Sequence, residues 1–363
     1  MSAFLETNLY RLFRFNPCVT ANELRMRMRG ARPFLVLLFY ALVAAAAVLL
    51  ALIPITIERS MSYGPGRLEV GRLTFSVLAH TQLTLILLIL PAYAAGAITM
   101  EREKRTLEML RATLVTPTDV VSGKLLVIFA FALVLLLSSL PVAAWCMLLG
   151  GIAPDELFYA YTHLFVVAVF VSALGIFFSS FLSRSMGAIV LTYGTIIALS
   201  VLSGIIPGLV MMLLTATGTG TASFGPLGAF FVLLVLGIAS GYVVFVILRW
   251  LLARLLPSSA RRPVIIVGIL AALAWLVFLL YPSLPAQHAV RTASITWLMI
   301  LNPYVSLAGI LSGDFAGVLT SGGMGGPAAA NIHVLIWSIS GVVLLALAAS
   351  LWALSVRIFR SRA

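Results

Sequence analysis

The densest run of ionisable side chains lies between Ile98 and Leu126, ITMEREKRTLEMLRATLVTPTDVVSGKLL. Glu101, Arg102, Glu103, Lys104 and Arg105 follow one another there, and Glu108, Arg111 and Lys124 come after. Alternating charges of this kind suit ion pairing and protein contact rather than covalent chemistry. The remaining reactive side chains do not group for catalysis. Asp155 and Glu156 are adjacent, and sequence neighbours do not share a helix face, so they make no acid–base pair. His80, His163, His288 and His333 are scattered without ligand spacing, and no metal site is expected. Cys18 and Cys146 fall at different depths of the membrane arrangement described below, and no disulfide is expected. The phosphate cradle G-x-x-x-x-G-K-[ST] is missing: Gly123-Lys124 is followed by Leu125, without a preceding glycine-rich loop. The chain is therefore expected to be no enzyme, to carry no cofactor, and not to bind ATP by that route.

The charged stretch reads as helix, turn, helix. Glu101 precedes Arg105 by four residues and Lys104 precedes Glu108 by four, spacings that favour helix. Leu107, Leu110 and Leu114 form an apolar stripe at i, i+3 and i+7. In the turn, Thr116 is a helix cap, Pro117 suits the first helical position, and Asp119 stands where its charge favours a helix N-terminus. The second helix then runs through Lys124. One face is solvated and another needs a partner, which suits an element that passes force from a machine at the membrane surface. The competing reading is a solvated loop whose leucines lie on lipid.

The elements that hold this stretch are membrane spans. Of 363 residues, 62% are hydrophobic and 9% charged, and the mean hydropathy is +1.14, against about 25% charged in soluble domains. Eight apolar runs, at 34–57, 78–98, 125–149, 160–182, 187–214, 226–248, 263–281 and 333–356, are each long enough for a hydrocarbon core about 30 Å thick. The fold class expected is all-α, a polytopic integral membrane protein. The segment 1–33 is a cytoplasmic lead-in, 34–363 the transmembrane domain, 99–124 an insert between the second and third spans, and 282–332 an outer cap that hugs the membrane. Within the cap, apolar pieces on either side of Asn302-Pro303 read as short interfacial or re-entrant helices. The first run is longer than a signal-peptide core and lacks a small-residue cleavage site, so it is expected to be an uncleaved span.

Orientation follows from Lys and Arg, which are retained on the cytoplasmic side. With both termini inside, only Arg59, Arg67, Arg72 and Arg291 of the 23 basic residues face out. This topology also accounts for the net charge of +12, whose basic residues sit at the ends of apolar runs, and it argues against a nucleic-acid partner.

Pro91 through Ala97, then Glu101-Arg102-Glu103, Thr106-Leu107-Glu108, Leu110, Thr116-Pro117 and Gly123-Lys124, resemble the signature of type-2 ABC transporter permeases. Asn16-Pro17, Glu23-Leu24-Arg25, Met28-Arg29-Gly30 and Leu301-Asn302-Pro303 are similar to landmarks of bacterial members. The resemblance covers most of the chain and is strongest over about 80–200. It implies a permease subunit of an ATP-driven exporter in the bacterial cytoplasmic membrane, with ATP and Mg held by a separate cytoplasmic ABC ATPase. It also implies a second permease chain, as homodimer or heterodimer. The insert then becomes a coupling helix, its contact residues Glu101, Arg102, Glu103, Thr106, Leu107, Glu108, Leu110, Leu114, Thr116, Pro117 and Lys124. Arg184 is a candidate second cytoplasmic contact, and Pro91, Gly96 and Pro141 are candidate hinges. The family core has six spans, so the pair at 226–248 and 263–281 is an added hairpin, or one run is re-entrant. The rivals are a secondary transporter, which usually places charged residues inside its spans, and a membrane scaffold. None of the eight runs holds Asp, Glu, Lys or Arg. His80 and His163 are expected near span ends, and Gln82 is the main polar residue within a run. Uncharged walls fit an amphiphile better than an ion.

Overall fold

The computed structural model describes residues 25, 30–61, 67–105, 116–150, 152–200, 302–312 and 327–361. Among the described residues every regular element is an α-helix: α1 Ala31–Met61, α2 Arg67–Glu103, α3 Pro117–Leu148, α4 Pro154–Phe181, α5 Ser185–Ser200, α6 Pro303–Ser312 and α7 Pro327–Ser361. A backbone in hydrocarbon must satisfy its own polar groups, and a helix does so within one segment. Five stretches are long and apolar enough to cross a membrane, namely Pro33–Ile53, Val70–Glu103, Pro117–Leu148, Pro154–Phe181 and Ser340–Ser361. They coincide with five of the expected runs. The run at 187–214 opens as α5, and the rest of it lies outside the described residues, as do the runs at 226–248 and 263–281 and most of the lead-in. Of the expected cap, the described residues hold α6 and the start of α7, which begins at Pro327 rather than 333.

The chain divides into two compact units, one of Met1–Ile197, Ser306–Gly313 and His333–Ala363, the other of Ala198–Val305 and Asp314–Ile332. In the second, Asn302 caps α6: its Oδ1 accepts the Tyr304 amide at 2.9 Å while its Nδ2 donates to the Ser200 carbonyl at 3.0 Å. This gives Asn302-Pro303 a local reason, a cap followed by proline at the first helical position.

In the first unit α2 packs on α1, α3 and α4, α3 also meets α1 and α4, and α4 is the most deeply buried of the four. Every residue from Val171 to Phe181 is buried. By contrast α1 buries Tyr40, Ala44 and Val48 and exposes Phe34, Leu38, Leu42, Leu49 and Ile53. An exposed apolar face costs nothing where the solvent is lipid, whose tails are as apolar as leucine.

Small residues set the α2–α4 contact. On α4, Ala168, Ser172, Gly175 and Ser179 recur at i, i+4, i+7 and i+11, all buried. A Cβ built on Gly175 would collide with the Cβ of Ala94 and stand 3.0 Å from the Ala95 amide nitrogen. Because Gly175 lets the backbones approach this closely, the Ser179 hydroxyl one turn later accepts the amides of Ile98 at 2.9 Å and Thr99 at 3.1 Å.

Polar side chains tie the helices at other levels. Gln82 on α2 donates to the Tyr161 hydroxyl on α4 at 3.2 Å, and that hydroxyl lies 3.1 Å from Ser139 Oγ on α3. Gln82 thus bonds a neighbouring helix, which is the ordinary use of such a residue in a span. The Tyr193 hydroxyl of α5 donates to the Leu88 carbonyl, next to the carbonyl of Leu87 whose helical partner Pro91 removes. At the end of the bundle near Arg67, Arg72 and Glu156 pair at 2.7 Å. His163 does not sit near a helix end as the apolar run suggested. It lies nine residues into α4, fully buried, with Nε2 2.8 Å from Ser306 Oγ on α6. The reason is that α4 starts at Pro154, six residues ahead of the apolar run, with Asp155 and Glu156 favouring its N-terminus.

Tyr161→Phe removes the hydroxyl shared by Gln82 and Ser139. Hydrogen bonds between membrane helices average about 0.6 kcal/mol, so the variant should lose about 0.6 to 1.7 kcal/mol. A double variant with Gln82→Leu should lose less than the sum of the two single losses, and thermal denaturation of the four proteins in detergent measures the coupling. Strict additivity would show that the contact contributes nothing.

Candidate functional site

At an ideal rise of 1.5 Å per residue, the 37 residues of α2 run about 55 Å, well beyond a hydrocarbon core of about 30 Å. Thr99 to Glu103 therefore continue α2, and Pro117 to Lys124 open α3, so both ends of the stretch expected as an insert are the ends of two long helices, and 106–115 between them lie outside the described residues. The first helix ends at Glu103. After Glu103 the chain turns: Lys104 donates its amide to the Met100 carbonyl at 3.0 Å, Arg105 donates to Arg102 at 3.2 Å, and Arg105 takes a left-handed φ of 57°.

At this end three consecutive side chains of α2 reach three different helices. Glu101 Oε1 meets Lys124 Nζ of α3 at 2.5 Å. Arg102 donates from Nη1 to the Leu182 carbonyl at 2.6 Å and from Nη2 to the Ser180 carbonyl at 3.5 Å, where α4 ends. Glu103 Oε1 accepts the Ser185 amide at 2.7 Å, and its two oxygens lie 3.0 and 2.9 Å from the Ser185 hydroxyl at the start of α5. The polarity is favourable throughout: a cation meets the unsatisfied carbonyls of a helix C-terminus, and an anion meets the free amides of an N-terminus. Glu103 stands beyond the apolar part of α2. The Ser185 amide, then its hydroxyl, hold the Glu103 carboxyl below its ordinary range.

Glu101, expected to pair with Arg105 along one helix, meets Lys124 of the neighbouring helix. The Lys124 side chain is only 3% exposed, and a buried ammonium needs a counter-charge far more than a surface i, i+4 pair, worth about 0.2–0.5 kcal/mol, needs to form. Across the turn, the start of α3 is a full capping box. Thr116 Oγ1 accepts the Asp119 amide at 3.3 Å, and Asp119 Oδ2 accepts the Thr116 amide at 3.3 Å. Thr116, Pro117 and Asp119 fill the roles their types predicted.

No nucleophile and base meet at this end of the described bundle. What the arrangement does is mechanical, fastening α3, α4 and α5 to the last turn of α2. Residues 73–212 match the family described as ABC-2 family transporter protein. Over that stretch the chain is similar to ABC-2 type permeases. The matched stretch takes in nearly all of α2, the charged junction, α3, α4 and α5. No curated protein matches the permease. Together with the five helices long and apolar enough to cross a membrane, this match supports a multi-pass membrane component of an ABC transporter, and the family implies an ATPase partner.

The permease brings Glu101, Arg102, Glu103 and Lys124 together, with Arg184 exposed in the adjoining α4–α5 loop. Thr106, Leu107, Glu108, Leu110 and Leu114 lie outside the described residues. Pro91 and Gly96 lie inside α2 and Pro141 inside α3, and both helices run unbroken past them. A Cβ on Gly96 would meet only the flexible Met100 side chain, with Sδ at 3.1 Å, whereas one on Gly175 would meet Ala94 and one on Gly71 would run into the Gly150 carbonyl, so the packing requires glycine at 175 and 71 and not at 96. Sequence reasoning missed Ser179, Ser185 and the Leu182 carbonyl. Ser185 carried a readable signal, a serine at the head of an apolar run after Arg184. The carbonyl carried none, because any residue supplies one.

Proposed function

We propose that the permease belongs to an ATP-driven exporter whose ATPase is a separate cytoplasmic polypeptide, and that the segment between Glu103 and Pro117 receives the ATPase's force. The observation that carries this reading is the junction at the end of α2. Glu101, Arg102 and Glu103 grip α3, α4 and α5, so displacing the segment between α2 and α3 acts on several helices at once. The resemblance of the 91–124 motif to coupling segments and the missing phosphate cradle support a partner ATPase holding ATP and Mg. In this reading the transport route lies between two permease chains, identical or not, in the bacterial cytoplasmic membrane, and the charged junction faces the cytoplasm.

The test is co-purification of the tagged permease with the ATPase encoded beside its gene. The complex should hydrolyse ATP and the permease alone should not. Leu110→Glu places a carboxylate on the apolar stripe and should lower the retained ATPase about tenfold, equivalent to about 1.4 kcal/mol, with membrane insertion intact. Normal retention in Leu110→Glu would remove the stripe from the contact. Nucleotide turnover by the permease alone would contradict a separate ATPase.

A further inference from the structure

The α4–α5 loop consists of Leu182, Ser183 and Arg184, between helices that end at Phe181 and begin at Ser185. Both of its ends are held by adjacent residues of a third helix: Arg102 takes the Leu182 carbonyl and Glu103 takes the Ser185 amide and hydroxyl. Successive residues of an α-helix point about 100° apart, which lets neighbours on α2 reach the end of one helix and the start of the next. A loop of three residues pinned at both ends by one rigid element cannot move apart from it. The two ties are unequal. The Glu103–Ser185 contact is exposed, and exposed polar contacts hold weakly. Arg102 is half-buried and spreads its planar fork over two carbonyls, which a lysine cannot reproduce.

We infer that Arg102 is a positioning residue that locks the Leu182–Ser185 loop to the end of α2, so that this loop and the last turn of α2 present one rigid surface. Taken with the proposed function, on which only this consequence rests, the exposed side chains of Ser183 and Arg184 form a second arm facing the ATPase, and motion at either arm moves both.

Distances between spin labels test the lock on the full-length permease in lipid nanodiscs, with no ATPase present. Cys18 and Cys146 are replaced by alanine, and labels are placed at the exposed positions Met100→Cys and Ser183→Cys. A reference pair, Leu73→Cys and Phe158→Cys, reports the opposite end of α2 and α4. Arg102→Ala should widen the 100–183 distance distribution roughly twofold and leave the 73–158 distribution as in the parent. Arg102→Lys should fall between the two. An unchanged 100–183 distribution would overturn the inference, and so would equal widening of both pairs, which means general loosening. If Arg102→Ala fails to insert, Glu103→Ala removes the other tie and should widen the 100–183 distribution by a smaller amount; no widening there would also overturn it. A parent permease that retains no ATPase would remove the proposed function and leave the distance result standing.

Discussion

Glu101→Ala should lower the stability of the permease by about 2–3 kcal/mol, read as a loss of several degrees in thermal denaturation in detergent. Lys124 Nζ lies 2.5 Å from Glu101 Oε1, with 3% of the lysine side chain and 30% of the glutamate exposed. Removing the carboxylate takes away the charge that compensates a buried ammonium, a loss of about 3–5 kcal/mol when both partners are fully enclosed. The partial exposure of Glu101 places the expected value below that range. Combining Glu101→Ala with Lys124→Met should restore most of the loss, since a buried ion pair replaced by apolar groups is often neutral. If Glu101→Ala were as stable as the parent, the pair would be an exposed one of the 0–1 kcal/mol kind.

Gly175→Leu should cost more, at least about 3 kcal/mol, and lower the yield of folded protein. At Gly175 even a Cβ would collide with Ala94, and the Ala95 backbone nitrogen is 3.0 Å away, so neither neighbour can turn aside without moving α2. Alanine there sets two effects against each other. Leaving glycine gains up to about 1 kcal/mol of helix propensity. Overpacking costs about 1–3 kcal/mol, so Gly175→Ala should still destabilise. Gly194 has nothing within 4 Å of its Cβ position, and Gly194→Ala should stabilise by about 0.5–1 kcal/mol. The three variants side by side, each followed by its thermal midpoint and by size-exclusion profile, separate packing from propensity. A Gly175→Leu variant as stable as the parent would mean that α2 and α4 do not meet there.

Glu101 and Arg102 illustrate how the two levels of information divide. Their charge, their place after an apolar run and the Thr116-Pro117-Asp119 cap downstream were legible, because helix ends and membrane edges are set by local chemistry over a few residues. Arg105 was legible as a charge but not as the turn that ends α2. Its left-handed φ of 57° is one that local propensity would not assign to an arginine.

The sequence by itself determined that the chain is helical, that it has spans for a membrane and where the apolar middles of α1 to α4 and α7 lie, though not where those helices begin and end, because burying about twenty apolar residues in hydrocarbon overrides every competing preference. It also marked Gln82 as a polar residue needing a partner, without saying which. Only the tertiary structure decided the partners: Tyr161 for Gln82, Ser306 for His163, Lys124 for Glu101, the Leu182 carbonyl for Arg102 and Ser185 for Glu103. Such pairings join residues 23 to 143 positions apart. They depend on which small residues, Gly175 and Ala94 among them, let two backbones come close, and a span's hydropathy is the same whichever helix it packs against.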